Sequence, residues 1–327
     1  MDNNVKIRLR QARQFYDSKK YDESLEIYNQ LFSKFPDEFD MGSRISYSWA
    51  IYQVHVKKFA DEDELFDAVD LITELVPQAD LNRVNTCPYT FSVMKVLDFL
   101  YKKQEYYNIF DWILRLNPDL LDGERNFFNG RICRSRKEKY YDYASKSYLE
   151  CADWDLCIEM SNEALESLKV FTNDGDVWYC WRIAKALKEL NQNDEALIYL
   201  NDIVKVKKDW FVFKEIIENY HRLNENEKAM MYIARAVLTD DPIKMKVNLF
   251  YLIYEIMKDS DYDVAIKHAQ LYYLLKLESN SEVSCDIEDL IDVSELDKNV
   301  LIDEINEYWN SFKFENKSLN AVCMEVE

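Results

Sequence analysis

Between residues 176 and 241, apolar and small side chains recur in four blocks at helical spacing, parted by short polar runs. Ala184 and Leu187 share one helix face. After the polar turn of Asn191, Gln192, Asn193 and Asp194, the residues Ala196, Leu200 and Ile203 recur at i, i+4 and i+7. That spacing predicts two antiparallel helices. The next pair repeats the scheme with Ile217, Tyr220, Ala229, Ile233 and Ala236, so Ala196 and Ala229 stand 33 residues apart. The pattern predicts tandem helical hairpins with a small residue where the helices cross.

The same patterning extends in both directions. In residues 5–36, Ala12, Phe15, Ser24, Tyr28, Leu31 and Pro36 mark a first hairpin. A second occupies 40–77, with helices over 46–57 and 63–76, Ala68, Ile72 and Leu75 facing inward, and Pro77 as the stop. A third pairs Phe91, Met94, Leu97 and Leu100 with a helix over 106–116 through Ile109, Ile113 and Leu116. The periodicity then fails in DLLDGERNFFNGRICRSRK, near 119–136, which reads as a structured insertion or long loop. A fourth hairpin sets Tyr141, Ser145 and Tyr148 opposite Cys157, Ser161 and Ala164 across Ala152 and Asp153; a seventh, over 244–277, sets Ile253 and Ile256 against Ala265, Ala269 and Tyr272. Residues 1–278 thus form the expected repeat array. Residues 279–327 read as an acidic linker, a capping helix over 297–312 carrying Val300, Ile305, Tyr308, Trp309 and Phe312, and a frayed tail of about a dozen residues.

Composition narrows the fold class. Four glycines and five prolines supply too little turn chemistry for an all-β or dinucleotide-binding fold, while 23 Tyr and 17 Phe give ample material to bury. The expectation is an all-α chain. The net charge of −20 is concentrated at the end, where residues 278–327 hold fourteen acidic and three basic residues. Such acidity disfavours sequence-independent binding to nucleic acid or an anionic membrane, although a local basic stripe can still do either. Seven cysteines without a C-x-x-C pair and an N-terminus without an apolar signal segment read as a reduced, cytoplasmic protein. No apolar run is long enough to span a membrane.

Catalytic signatures are missing. Neither phosphate-cradling glycine loops nor a nucleophile elbow occurs. His55, His221 and His268 are remote in sequence, and no metal-ligand spacing links them to the cysteines. Carboxylate clusters such as 61–64 and 288–289 sit at a helix start or in the acidic end, where dipole compensation or solvation accounts for them. No catalytic residue, metal or cofactor is expected, and the chain reads as a non-enzymatic interaction protein.

The chemistry that remains lies on the first helix of each pair. One or two positions off the packing seam stand Lys95, Lys139, Tyr143, Lys146, Trp178, Trp181, Arg182, Lys185, Lys188, Lys214 and His221. Lys139, Tyr143, Lys146, Trp178, Trp181, Arg182, Lys185 and Lys214 are the candidate partner-binding residues. Together with the arginines of the insertion they suggest a cationic, aromatic-lined groove for an acidic peptide or protein segment. Single-stranded nucleic acid on the stripe 131–146 plus Trp178 and Trp181 is the alternative. The plain competing account is that the lysines form the solvated side of amphipathic helices and the tryptophans pack between repeats. The acidic end of the chain is a candidate internal competitor for the groove.

The order small, aromatic, small, aromatic, apolar, Pro in Ala12, Phe15, Ser24, Tyr28, Leu31 and Pro36, with the 33-residue spacing of Ala196 and Ala229, resembles the tetratricopeptide repeat across residues 5–278. The resemblance implies a right-handed α-solenoid of about seven hairpins with a C-terminal capping helix, binding a partner on its concave face. The segments RKEKYYDYASKSYLE, DVWYCWRIAKALKEL, VKVKKDWFVFKE and DPIKMKVNLFYLI further resemble the helical-repeat portion of bacterial conflict and antiviral-island proteins, which implies a setting in defence. Two tetratricopeptide subtypes fit less well. The chaperone-binding dicarboxylate clamp uses Lys and Asn where this chain has Leu9 and Arg13, and the peptide-sensing regulators carry an effector domain ahead of their repeats, whereas here the first hairpin begins almost at once.

Overall fold

Helices with one apolar stripe must fold back on a neighbour, and short polar links make that neighbour the next helix. A computed structural model describes residues 3–124, 126–128, 130–291 and 296–315. The chain divides into two units, Met1–Tyr179 and Cys180–Glu327. The first holds α1 (Asn3–Asp17), α2 (Tyr21–Phe32), α3 (Met41–Ile51), α4 (Glu62–Leu75), α5 (Pro88–Lys103), α6 (Tyr106–Ile113), a β-hairpin of β1 (Asn126–Phe128) and β2 (Arg131–Cys133), α7 (Arg136–Glu150) and α8 (Trp154–Ser167). The division falls inside α9 (Gly175–Glu189). The second unit continues with α10 (Asn193–Val206), α11 (Trp210–Arg222), α12 (Asn226–Val237), α13 (Val247–Met257), α14 (Tyr262–Glu278), the short α15 (Cys285–Glu288) and α16 (Lys298–Glu315). This is an all-α, helical-repeat architecture of the kind the hydrophobic pattern predicts.

Within the first unit each helix packs on its successor, and the first helices of consecutive hairpins also touch: α1 on α3, α3 on α5, α5 on α7. In the second, α11 pairs with α12, α13 with α14, and α11 reaches α13. The crossing positions are buried throughout: Ser24, Ala68, Ile109, Cys157, Ala196, Ala229 and Ala265. Small side chains let backbones approach closely enough for Ser24 Oγ to donate to the Ala12 carbonyl of the facing helix at 2.8 Å.

Five links close alike. Lys19, Gln104, Ala152, Asn191 and Asn224 all have φ between 59° and 61°. At each, the left-handed residue donates its N–H three residues back and the next residue donates five back, as in Ala152 N to Leu149 O (3.3 Å) and Asp153 N to Tyr148 O (2.9 Å). This paired closure satisfies carbonyls that a helix end otherwise orphans, and it reverses the chain in two or three residues. None of the five residues is glycine.

Several expected elements shift. The helix expected over 46–57 begins earlier, at Met41, and passes at Tyr52–Val56 into a π-helical turn, closed by Lys57 N donating to Tyr52 O at 2.8 Å. The helix expected over 106–116 ends at Ile113, with Leu116 still buried beyond it. The irregular insertion contains an antiparallel hairpin that pairs Phe127 with Ile132 and turns at Gly130, whose φ of 74° suits glycine. Helix α16 packs on α14 and α12 through Leu301, Ile305 and Trp309, whereas Val300, expected on that face, is 52% exposed. Trp309 Nε1 donates to His268 Nε2 at 2.9 Å inside this contact. The expected frayed tail, 316–327, lies outside the described residues, as do 292–295. No described helix is long and apolar enough to cross a membrane.

Candidate partner-binding site

In the first unit the structure commits the candidate residues to internal contacts. Lys139 and Tyr143, one turn apart on α7, converge on Asp98 of α5: Lys139 Nζ lies 2.9 Å and the Tyr143 hydroxyl 2.5 Å from Asp98 Oδ1. Tyr143 is buried, and burial together with the Asp98 carboxylate holds its phenol far above the usual tyrosine range. Lys146 pairs with Glu150 one turn along α7 and lies 5.8 Å from the Tyr106 ring. The neighbouring basic stripe is matched in the same way, Arg134 with Asp142, Arg136 with Asp122 and Lys137 with Asp119. Each of these five cations has an intrachain carboxylate, which leaves the stripe little net positive field. The side chain of Arg131 lies outside the described residues. Trp178, half-buried on α9, also belongs to this unit.

The second unit holds the others, and two of them, Lys185 and Lys214, line a cleft of about 480 Å³ together with Lys188 and Glu189 of α9, Glu215, Glu218, His221 and Arg222 of α11, and Leu252 of α13. Helical spacing explains the grouping, since 214, 215, 218, 221 and 222 fall on one face of α11 and 185, 188 and 189 on one face of α9. Trp181 is half-buried, edge-on to Phe211 with ring centroids 6.2 Å apart, and Lys185 Nζ lies 4.5 Å from its ring centroid. Arg182 is buried in α9, away from the cleft lining. The structure therefore sets Lys185 and Lys214 in one cleft, with Trp181 beside Lys185, and assigns Lys139, Tyr143, Lys146 and Trp178 to the other unit.

Lys188 lies at the centre of the cleft chemistry. Its side chain is only 6% exposed, and its ammonium lies 2.6 Å from Glu215 Oε2 and closer still to Glu218. Burial alone would depress its pKa, but the two glutamates more than offset that and raise it, so the group stays charged. Lys214 also pairs with Glu218. Arg222 donates to the Lys188 carbonyl at 2.6 Å and to Glu189 at 3.1 Å, closing the C-terminal end of α9 with a cation. Among the described residues, Lys185 is the lining lysine without a carboxylate partner. No described cluster of three His, Cys, Asp or Glu is placed to hold a metal ion.

Sequence reasoning missed Glu215, Glu218 and Arg222. The i, i+4 spacing of Lys214 and Glu218 was visible; the partners of Lys188, 27 and 30 residues away, were not.

No protein-family model matches the chain, and no curated protein matches it. Solved structures do resemble it. A tetratricopeptide repeat protein from Parabacteroides merdae is 15% identical, covers 88% of this chain and 98% of its own, and has a TM-score of 0.43. A human IFIT1 dimer with m7Gppp-AAAA is 12% identical, with 97% and 72% covered and a TM-score of 0.45. A Rap protein complexed with competence and sporulation factor is 11% identical over the whole of both chains, at 0.41. At these identities and scores the matches say nothing about chemistry. The chain is a helical-repeat protein.

Proposed function

We propose that this chain is a non-enzymatic interaction protein whose second unit binds an acidic segment of a partner protein in the cleft of Lys185, Lys188, Lys214 and Arg222. The observation that carries this reading is Lys185, an ammonium lining a cleft of about 480 Å³ with no carboxylate of its own among the described residues, beside Leu252, an apolar contact for a peptide. The carboxylates Glu189, Glu215 and Glu218 line the same cleft, an arrangement that suits a short acidic segment better than a continuous phosphate backbone.

The test is titration of the full chain with a short oligoglutamate peptide and, separately, with single-stranded RNA, at low and moderate salt. The peptide is expected to bind, and Lys185→Glu to weaken it by about tenfold or more, corresponding to about 1.4 kcal/mol. Lys146→Glu, in the other unit, is expected to leave the affinity unchanged. RNA binding with a steep salt dependence, or equal peptide affinity in Lys185→Glu, would overturn the reading.

A further inference from the structure

The cleft holds more cations than it offers. Glu218 accepts from both Lys188 and Lys214, so one carboxylate occupies two of the lysines that a bound acidic side chain needs. The neighbouring carboxylate is placed differently: Glu215 reaches only Lys188, and its side chain is 9% exposed against 20% for Glu218. Glu215 belongs to the floor, and Glu218 stands nearer solvent.

Resting on the acidic-segment reading above, we infer that Glu218 is a built-in surrogate for the partner's carboxylate, occupying Lys188 and Lys214 in the unbound cleft and turning out when the partner binds. The exchange replaces one carboxylate by another at the same ammonium groups. Lys188, the most buried of these charges at 6% exposed, keeps Glu215 throughout, and Lys214, 20% exposed, is the ammonium that waits for the partner's carboxylate while Glu218 is turned out. Glu218 itself remains ionised when occupied, because the two lysines outweigh its burial and hold its pKa below the usual carboxylate range. Its departure toward solvent requires only side-chain rotation on α11. The surrogate lowers apparent affinity by the fraction of molecules whose cleft is open, and it rejects ligands too weakly acidic to displace it.

The experiment compares oligoglutamate binding by the full chain, Glu218→Gln and Glu215→Gln. Both variants add one unit of positive charge to the cleft, so the pair separates a local exchange from a general change of field. Glu218→Gln is expected to bind about tenfold more tightly than wild type, and Glu215→Gln no more tightly, because Glu218 stays in place. Glu218→Asp, shorter by one methylene and still charged, is the companion variant should the amide destabilise the fold; it is expected to tighten binding to a lesser degree. If wild type binds and a folded Glu218→Gln or Glu218→Asp binds no better, the exchange is wrong while the acidic-segment reading stands. Equal tightening in Glu215→Gln also overturns the exchange. Binding by none of the forms overturns both.

Discussion

Ala152 is an alanine in a conformation that glycine fills at no steric cost. Its φ of 60° brings Cβ toward the following carbonyl, and the tight closure of α7 onto α8 holds it there. Ala152→Gly is therefore expected to stabilise the chain by about 1 kcal/mol, read as a higher urea midpoint at unchanged slope. Asn224→Gly, at φ 59°, should gain less because asparagine tolerates this region. A lowered midpoint in Ala152→Gly would refute the argument. His268 is the second case. It is fully buried, donates from Nδ1 to the Val264 carbonyl at 2.8 Å and accepts from Trp309 at Nε2, an arrangement only the neutral ring can make. Burial depresses its pKa to about 4 from the ordinary 6.5, and adjacent Lys267 adds to the shift. The sign follows. Above pH 6.5 the ring is neutral whether folded or unfolded and the contact is at full strength. As pH falls toward about 4 the unfolded chain takes the proton first, and stability drops by about 1.4 kcal/mol per pH unit. Melting temperature should fall more steeply from pH 6.5 toward 4 in wild type than in His268→Gln; equal slopes would contradict the argument.

At the scale of elements, α16 depends on one stripe. Leu301, Ile305 and Trp309 recur every four residues and are buried against α14 and α12. Trp309→Ala is expected to cost about 3–5 kcal/mol at this contact and to speed amide exchange through 298–313 while most of α11 stays protected. Trp309→Phe, which retains a ring but leaves His268 Nε2 without its donor, should cost about 1–3 kcal/mol. Unchanged exchange in Trp309→Ala would show that α16 is held by something else. The helix and most of its inward face, Ile305 and Trp309 above all, were legible in the sequence; Val300 is the exception and Leu301 takes its place. Leu301, four residues before Ile305, continues the stripe through Ile305 and Trp309, whereas Val300 stands five residues before Ile305, well round the helix, and faces away from α14 and α12. The π-helical turn at Tyr52–Val56 was equally hidden, because one extra residue in a turn barely disturbs an apolar period.

At the scale of the whole molecule, stability comes from rows of nearest-neighbour contacts within each unit, such as α1 on α2 and α11 on α12. Such rows open from their ends. Unfolding is accordingly expected to depart from a single two-state step, with a van't Hoff enthalpy smaller than the calorimetric one; equality of the two would contradict this picture. The charge of −20 sets the field in which any partner arrives, and it makes a locally cationic cleft the place where an acidic segment is tolerated.

The period of small and apolar residues determined the fold class, the hairpins and the crossing positions Ala196 and Ala229. Those are local properties: side chains three and four residues apart share a helix face whatever lies beyond it. Which cations remain available was decided only by the tertiary structure. Lys139 meets Asp98 across 41 residues, Lys188 meets Glu215 across 27, and Lys185 meets a tryptophan ring and no carboxylate among the described residues. On a helical period these lysines look alike. Ion pairing acts through space, so the helix brought alongside determines which lysines are neutralised inside the chain and which one is left to line the cleft.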